Sequence, residues 1–229
     1  MKKITIAVDG YSSTGKSTLS RQLAQKLGYT YIDTGAMYRA VTLFAIENKL
    51  VGGEKQNLPA LVQLLPYIQL EFRFNDRTKL AEMYLDNRNV EQAIRSPEVS
   101  NHVSMVAAVP EVRRKLVDMQ RKMGKGKGVV MDGRDIGTVV FPDAELKLFL
   151  TASPEVRAQR RYKELLQKGH DISYGEVLKN IRERDYTDSH RKEGPLAKAP
   201  DAIVIDNSDM SLQDQFDRMY HFALRIVEE

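Results

Sequence analysis

Five short apolar runs, at residues 4–9, 29–33, 128–132, 146–151 and 202–206, are separated by stretches with apolar residues at helical spacing. Runs of this length without internal alternation predict strands buried on both faces, as in a parallel sheet covered by helices. Several end in an acidic or hydroxyl residue (Asp9, Asp33, Asp132, Thr151, Asp206), where a strand leaves the core at its carboxyl edge. Ligands of open α/β sheets collect at that edge. Ser153-Pro154-Glu155 predicts a helix start, with Ser as N-cap and Pro at the first helical position. After Met210-Ser211, the residues Leu212, Phe216, Met219, Tyr220, Ala223 and Ile226 predict a last helix packed through that stripe.

One segment breaks the pattern. From Ile68 to Phe74 apolar and polar residues alternate, which predicts a half-exposed strand. Asn75-Asp76 begins a turn, residues 79–86 read as a second strand, and Asp86-Asn87-Arg88-Asn89 as another turn. A small antiparallel sheet is therefore expected as an insert, about residues 60–95, within a single domain spanning residues 1–229.

The bulk numbers fit this picture. A chain of 229 residues with 42% apolar content can bury one sizeable core, and its 29% charged residues are ordinary for a globular protein. No cysteine is present, which excludes disulfides, thiolate metal sites and thiol catalysis. No apolar run approaches the ~20 residues of a membrane span. Residues 1–3 followed by the run at 4–8 reach Asp9 too soon for a signal peptide. A cytoplasmic protein without membrane contact is expected. The net charge of +4 is compatible with an anionic partner. The densest basic stretch, residues 113–127, adjoins Glu111, contains Asp118 and ends in a Gly-Lys-Gly-Lys tract, so it reads as a solvated helix face and no nucleic acid partner is expected.

The chemistry begins at residues 10–17, Gly-Tyr-Ser-Ser-Thr-Gly-Lys-Ser, a GxxxxGKS loop between a predicted strand and a predicted helix. In such a loop glycines let successive backbone N–H groups face phosphate oxygens, and the following helix adds its positive end. Gly10, Tyr11, Ser12, Ser13, Thr14, Gly15, Lys16, Ser17 and Thr18 are the candidate ATP contacts. Lys16 would reach the β- and γ-phosphates and Ser17 would ligate Mg²⁺. The DxxG and NKxD motifs of GTPase switches and an LSGGQ-like transporter signature are all missing. A small-molecule kinase remains, with a basic acceptor pocket and a mobile arginine-rich cover.

Arg39 follows Asp33-Thr34-Gly35, with Thr34 as a candidate helix cap, and Arg134 follows Asp132-Gly133. With Arg39 about one and a half turns into the following helix, two such arginines near the sheet edge beside the loop point to a phosphate clamp. Arg184, Asp188 and Arg191 are spaced to share one helix face, and Arg157 and Arg161 to share another. The region 157–190, with Gly169 at a turn, is expected to form a lid that neutralises charge and excludes water.

These motifs together resemble the bacterial (d)CMP kinases, or cytidylate kinases, of the nucleoside monophosphate kinase group. The resemblance runs through DTGAMYR at 33–39, NHVSMVAAVPEVR at 101–113, DGRDIGTVVFPDA at 132–144, SPEVRAQRR at 153–161 and RERDYTDSHR at 182–191. It implies an α/β fold: a three-layer P-loop kinase with a five-stranded parallel sheet, the β insert as acceptor subdomain and a helical lid. It implies Mg²⁺-dependent transfer of the ATP γ-phosphoryl group to CMP or dCMP by a monomer. Thr34, Ser104, Arg113 and Asp135 match the family's cytosine-recognising positions. Arg39, Arg134 and Arg191 match phosphate-binding arginines, and Arg184 and Asp188 match residues around the sugar. Arg157 and Arg161 correspond to lid residues on the ATP phosphates, so Lys16, Arg157, Arg161 and Arg191 are the expected catalytic groups. Asn207 and Ser208 are candidates near adenine. The loop departs from the family's usual GPSGAGKS at Tyr11, Ser13 and Thr14.

Overall fold

The computed structural model describes residues 2–77 and 80–228. The chain forms two compact units, residues 1–32 with 121–229, and residues 33–120.

The first unit is built on a five-stranded sheet of order β2-β6-β1-β7-β8, the parallel sheet expected. Its strands are β1 (Thr5–Gly10), β2 (Thr30–Asp33), β6 (Val129–Asp132), β7 (Leu146–Thr151) and β8 (Ile203–Asp206). β1 lies at the centre, in parallel register with β6 and β7, and every one of its residues is buried. Helices α1 (Lys16–Leu27) and α8 (Leu212–Glu228) close over the core. Leu19, Leu23, Met219, Ala223 and Val227 pack there with Ile6, Val8, Leu148, Leu150 and Ile205. The predicted stripe of α8 packs there through Phe216, Met219, Tyr220, Ala223 and Ile226, with Val227 added at its end; only Leu212, 60% exposed, departs from it.

Helix α6 (Pro154–Gln167) starts as predicted, with the Ser153 hydroxyl accepting from the Val156 N–H at 3.3 Å and Pro154 in the first turn. The chain reverses at Gly169, whose φ of 78° suits glycine. Helix α7 (Tyr174–His190) opens on a capping box between Ser173 and Glu176. Ala158, Leu165, Val177 and Ile181 hold the two helices together as a hairpin. α7 ends one residue before Arg191, which has an extended ψ of 146°. The predicted single helical face of Arg184, Asp188 and Arg191 therefore does not extend to Arg191.

The second unit contains α2 (Thr34–Glu47), α3 (Leu58–Leu64), α4 (Pro97–Ala107) and most of α5 (Pro110–Gly124). Its antiparallel sheet comprises β3 (Leu70–Asn75), β4 (Leu80–Leu85) and β5 (Arg88–Asn89). Residue 79, the predicted start of the second strand, lies outside the described residues. Asp86 and Asn87, with φ of 47° and 66°, make a two-residue hairpin turn. That tight turn frees Arg88 and Asn89 to pair with β4, so the predicted turn over 86–89 is half strand. The N-cap of α2 is Asp33, whose carboxylate accepts from the Ala36 N–H at 3.0 Å. Thr34, the predicted cap, is the first helical residue and is buried.

Gly10 shows how tightly the loop after β1 is specified. Its φ is 141°, and a Cβ there would lie 2.0 Å from the Leu150 carbonyl oxygen on β7. Gly10→Ala is expected to cost about 4 kcal/mol or more, whereas Gly126→Ala should stay within about 0.5 kcal/mol. A Cβ at Gly126 meets nothing within 4 Å. Thermal or urea unfolding of the two variants checks the contrast.

Candidate active site

The GxxxxGKS loop wraps from the end of β1 into α1 through left-handed backbone at Gly10, Ser13 (φ 58°) and Gly15 (φ 85°). Turns of this kind aim successive N–H groups into one concavity, an anion site at a helix N-terminus. Lys16 is 5% exposed, and its ammonium donates to the Tyr11 carbonyl at 2.5 Å and reaches the Thr14 hydroxyl at 3.4 Å. Burial pushes this lysine down to about 7; Arg134 adds to the effect, while Asp132 and Asp9 oppose it. A buried cation hydrogen-bonded only to the neutral loop around it is a charge waiting for an anion.

Two strand-end carboxylates tie this region together, and their partners were not legible in the sequence. Asp132, at the end of β6, accepts from the Ser17 hydroxyl at 2.8 Å and from the Tyr31 hydroxyl at 3.0 Å. Asp9, at the end of β1, accepts from the Ile136 and Gly137 N–H groups at 2.8 and 2.7 Å. Burial pushes Asp9 up to about 6, against those two hydrogen bonds. Their common position at strand ends was the available signal. Among the described residues no cluster of three or more His, Cys, Asp or Glu could hold a metal ion. The Ser17 hydroxyl beside the Asp132 carboxylate is nevertheless a hard oxygen pair that fits a Mg²⁺ ion sharing its shell with phosphates and water.

In the same unit, Arg134, Asp135, Arg184, Asp188 and Arg191 form one network. Arg134 Nε donates to Asp188 Oδ2 at 2.9 Å. Arg191 lies 3.9 Å from Asp188 and 3.7 Å from Asp135. Burial alone would raise the Asp188 carboxyl, yet Arg134, Arg184 and Arg191 hold it below its ordinary value. Burial, reinforced by Arg134, lowers Arg184 to about 10, and its Nε has no hydrogen-bond partner among the described residues. Asp188 thus gathers three guanidiniums about one carboxylate.

Arg157 and Arg161, predicted to act alike, are held differently. Arg157 is 2% exposed, with both terminal nitrogens on Asp185 of α7 at 3.1 and 2.7 Å. Its Nε donates to the Ala152 carbonyl at 2.9 Å, and its guanidinium lies 4.9 Å from the Tyr11 ring centroid. Arg161 pairs with Glu164 at 2.8 Å on the rim of α6. Asn207, predicted near adenine, has both amide hydrogens committed, to the Thr14 carbonyl and to Gln215, each at 2.7 Å. Reading a base with that amide would break those bonds. Ser208 bonds Asp206 and the Ser153 N–H.

The remaining acceptor candidates, Thr34, Arg39, Ser104 and Arg113, lie in the second unit. Arg39 donates to the Ser100 hydroxyl at 2.9 Å and the Ile94 carbonyl at 3.2 Å. Arg113, 3% exposed on α5, lies 5.7 Å from the Tyr38 ring centroid. Ser104 is half-buried on α4.

The family model described as cytidylate kinase matches residues 6–224. The chain belongs to the cytidylate kinase family. It is similar to the cytidylate kinase of Flavobacterium johnsoniae, with 62% identity over 228 residues covering 100% of this chain and 99% of that protein. The cytidylate kinase of Flavobacterium psychrophilum is 59% identical, covering 94% of this chain and 96% of its own length. That of Bacteroides thetaiotaomicron is 51% identical over the full length of both chains. Cytidylate kinases are nucleoside monophosphate kinases with ATP as phosphoryl donor. Among the described residues no helix is long and apolar enough to cross a membrane.

The state of Lys16 yields a measurable linkage. With its folded value lowered to about 7, the lysine is largely neutral at slightly alkaline pH in the free protein. A bound triphosphate favours the charged form, so binding takes up a proton, most strongly at about pH 8. Uptake fades below the depressed value, where Lys16 is already charged. Calorimetric titration of Mg-free ATP in buffers of different ionisation enthalpy measures it, and Lys16→Met should abolish it.

Proposed function

We propose that the protein phosphorylates CMP and dCMP, giving CDP and dCDP, with the γ-phosphoryl group of ATP passing between the GxxxxGKS loop and the Arg134–Asp188–Arg191 network. The observation that carries this reading is geometric: the buried Lys16 ammonium in its left-handed loop and the Arg134–Asp188 ion pair lie in one unit, at the ends of its parallel strands. The family match supplies the chemistry of the two substrates.

Binding of ATP places its β- and γ-phosphates against the loop N–H groups and the Lys16 ammonium. Ser17 and Asp132 would hold Mg²⁺, which supplies charge neutralisation on the phosphate oxygens when bound. Arg39, Arg134 and Arg191 take the acceptor's phosphate. An ionised phosphate oxygen attacks, so no general base is required, and catalysis rests on positioning and charge stabilisation. Lys16, Arg157, Arg161 and Arg191 neutralise charge on the transferring group. Arg157 can serve there only by keeping or exchanging its tie to Asp185, while Arg161 gives up a partly exposed glutamate. Asp135 accepts from the exocyclic amine of cytosine, and Thr34, Ser104 and Arg113 address the rest of the ring. Uracil presents a carbonyl in place of that amine and would face an acceptor carboxylate. Arg184 and Asp188 address the sugar. The region at about 60–95 closes on the acceptor and the hairpin at about 157–190 on the donor.

We further read the protein as a monomeric cytoplasmic enzyme without a nucleic acid partner. The basic stretch supports the last of these, because several of its side chains are engaged locally. Lys115 donates to the carbonyls of Leu65 and Ile68, and Arg114 pairs with Glu111 at 2.8 Å. Arg121 donates to the Val139 carbonyl at 2.6 Å, and Lys127 pairs with Glu145.

Coupled ADP-release assays across CMP, dCMP, UMP, AMP and shikimate test the reading; turnover of UMP above CMP would overturn it. Asp135→Ala should raise the CMP KM by about 10- to 100-fold and erode discrimination against UMP. A fall in activity with unchanged base preference would assign Asp135 a structural part instead. Lys16→Ala should lose about 100-fold or more in kcat with every acceptor.

A further inference from the structure

Asn207 follows β8 and is completely buried, at 0% exposure. Each of its polar atoms is engaged. Its N–H donates to the Thr151 carbonyl at 2.9 Å. Its side-chain amide donates to the Thr14 carbonyl and to Gln215 Oε1, both at 2.7 Å. Its two oxygens accept from one guanidinium: Arg160 Nη1 reaches Oδ1 at 2.9 Å and Nη2 reaches the main-chain oxygen at 2.7 Å. Arg160 projects from α6, between Arg157 and Arg161, yet among the described residues it has no carboxylate partner. Its fork closes on a neutral asparagine.

The consequence falls on the phosphate loop. No peptide bond among the described residues is cis. A planar trans peptide points its C=O and N–H in opposite directions. Holding the Thr14 carbonyl toward Asn207 therefore turns the Gly15 N–H the other way. Gly15 is the N-cap of α1 at φ 85°, where a glycine has several accessible orientations to choose from. The Thr14–Gly15 peptide lies within the loop at the start of α1, and its orientation decides whether the Gly15 N–H or the Thr14 carbonyl oxygen turns toward an anion there.

We propose that Arg160 and Asn207 are positioning residues for the donor site, a two-part tether that sets the Thr14–Gly15 peptide for triphosphate binding and fastens it to the helix carrying Arg157 and Arg161. Arg160 acts through the Asn207 amide, fixing which side of it is oxygen and hence which side donates to the loop. Gln215 of α8 accepts the second amide hydrogen, so the orientation is enforced from both sides. The inference rests on the donor role given to residues 10–17 and is independent of the identity of the acceptor.

The test is calorimetric titration of a non-hydrolysable ATP analogue with Mg²⁺, without acceptor, beside a separate titration of CMP. Asn207→Asp keeps the oxygen that receives Arg160 but sets a carboxylate oxygen against the Thr14 carbonyl. It should weaken the analogue by about tenfold while CMP affinity stays within about twofold of the parent. Arg160→Lys, whose single ammonium cannot span both oxygens of Asn207, should weaken the analogue by about threefold to tenfold. If Asn207→Asp does not fold, Arg160→Lys decides the matter alone. Analogue affinity unchanged in a folded variant, or CMP affinity falling in step with it, would overturn the tether. A parent protein that binds the analogue and phosphorylates no CMP would overturn the proposed acceptor instead, while the same titrations still report on the tether.

Discussion

An ammonium group kept in the protein interior without a counter-charge in hydrogen-bond contact is the constraint around which the donor site is built. Lys16 is buried where β1 gives way to α1, and it donates to the carbonyl of Tyr11 in its own loop. Desolvating a cation is costly, and the cost is tolerable here because the loop supplies dipoles and because Asp9 and Asp132 lie near enough to oppose the shift. In the donor role proposed for Lys16, a bound polyphosphate would relieve that cost, which makes the buried charge a form of electrostatic preorganisation.

The surrounding carboxylates each hold something in place. Asp132 orients Ser17, Asp9 ties down the backbone at Ile136 and Gly137, Asp188 gathers Arg134, and Asp185 holds Arg157. Asp132, Asp188 and Asp185 each remove rotamer freedom from the side chain they hold, and the carboxylates moderate repulsion among the neighbouring cations. Tyr11, where the family more often has proline, joins this framework. Its ring lies against Arg157 on one side and Phe149 on the other, with centroids 6.0 Å apart in the aromatic pair. The substitution exchanges a rigid backbone for an aromatic seat beneath a buried guanidinium.

The five core strands and the insert were legible because their periodicities differ: continuous apolar runs for the buried parallel strands, alternation for β3. The loop was legible because its chemistry is local, eight consecutive residues whose backbone does the work. Less could be read where the deciding partner is distant. Asp33 rather than Thr34 caps α2, a choice between adjacent residues that depends on which side chain turns back to Ala36. Arg88 and Asn89 join the sheet because the turn before them closes in two residues. Leu212, at the first position of α8, stays 60% exposed while the rest of the predicted stripe packs.

What the sequence by itself determined was the class of chemistry: a nucleotide phosphate loop and the motifs that mark the cytidylate kinase family. Those are properties of consecutive residues and survive any detail of packing. Tertiary structure alone decided the use of the polar residues. It put Asp132 on Ser17 from 115 positions away. It separated Arg157, sealed against Asp185, from Arg161 on the rim, though both sit one turn apart on the same helix. It put the Asn207 amide on the Thr14 carbonyl, 193 positions away. A side chain's hydrogen-bonding capacity is written in its identity, but which partner consumes that capacity depends on which distant backbone groups folding leaves unsatisfied beside it.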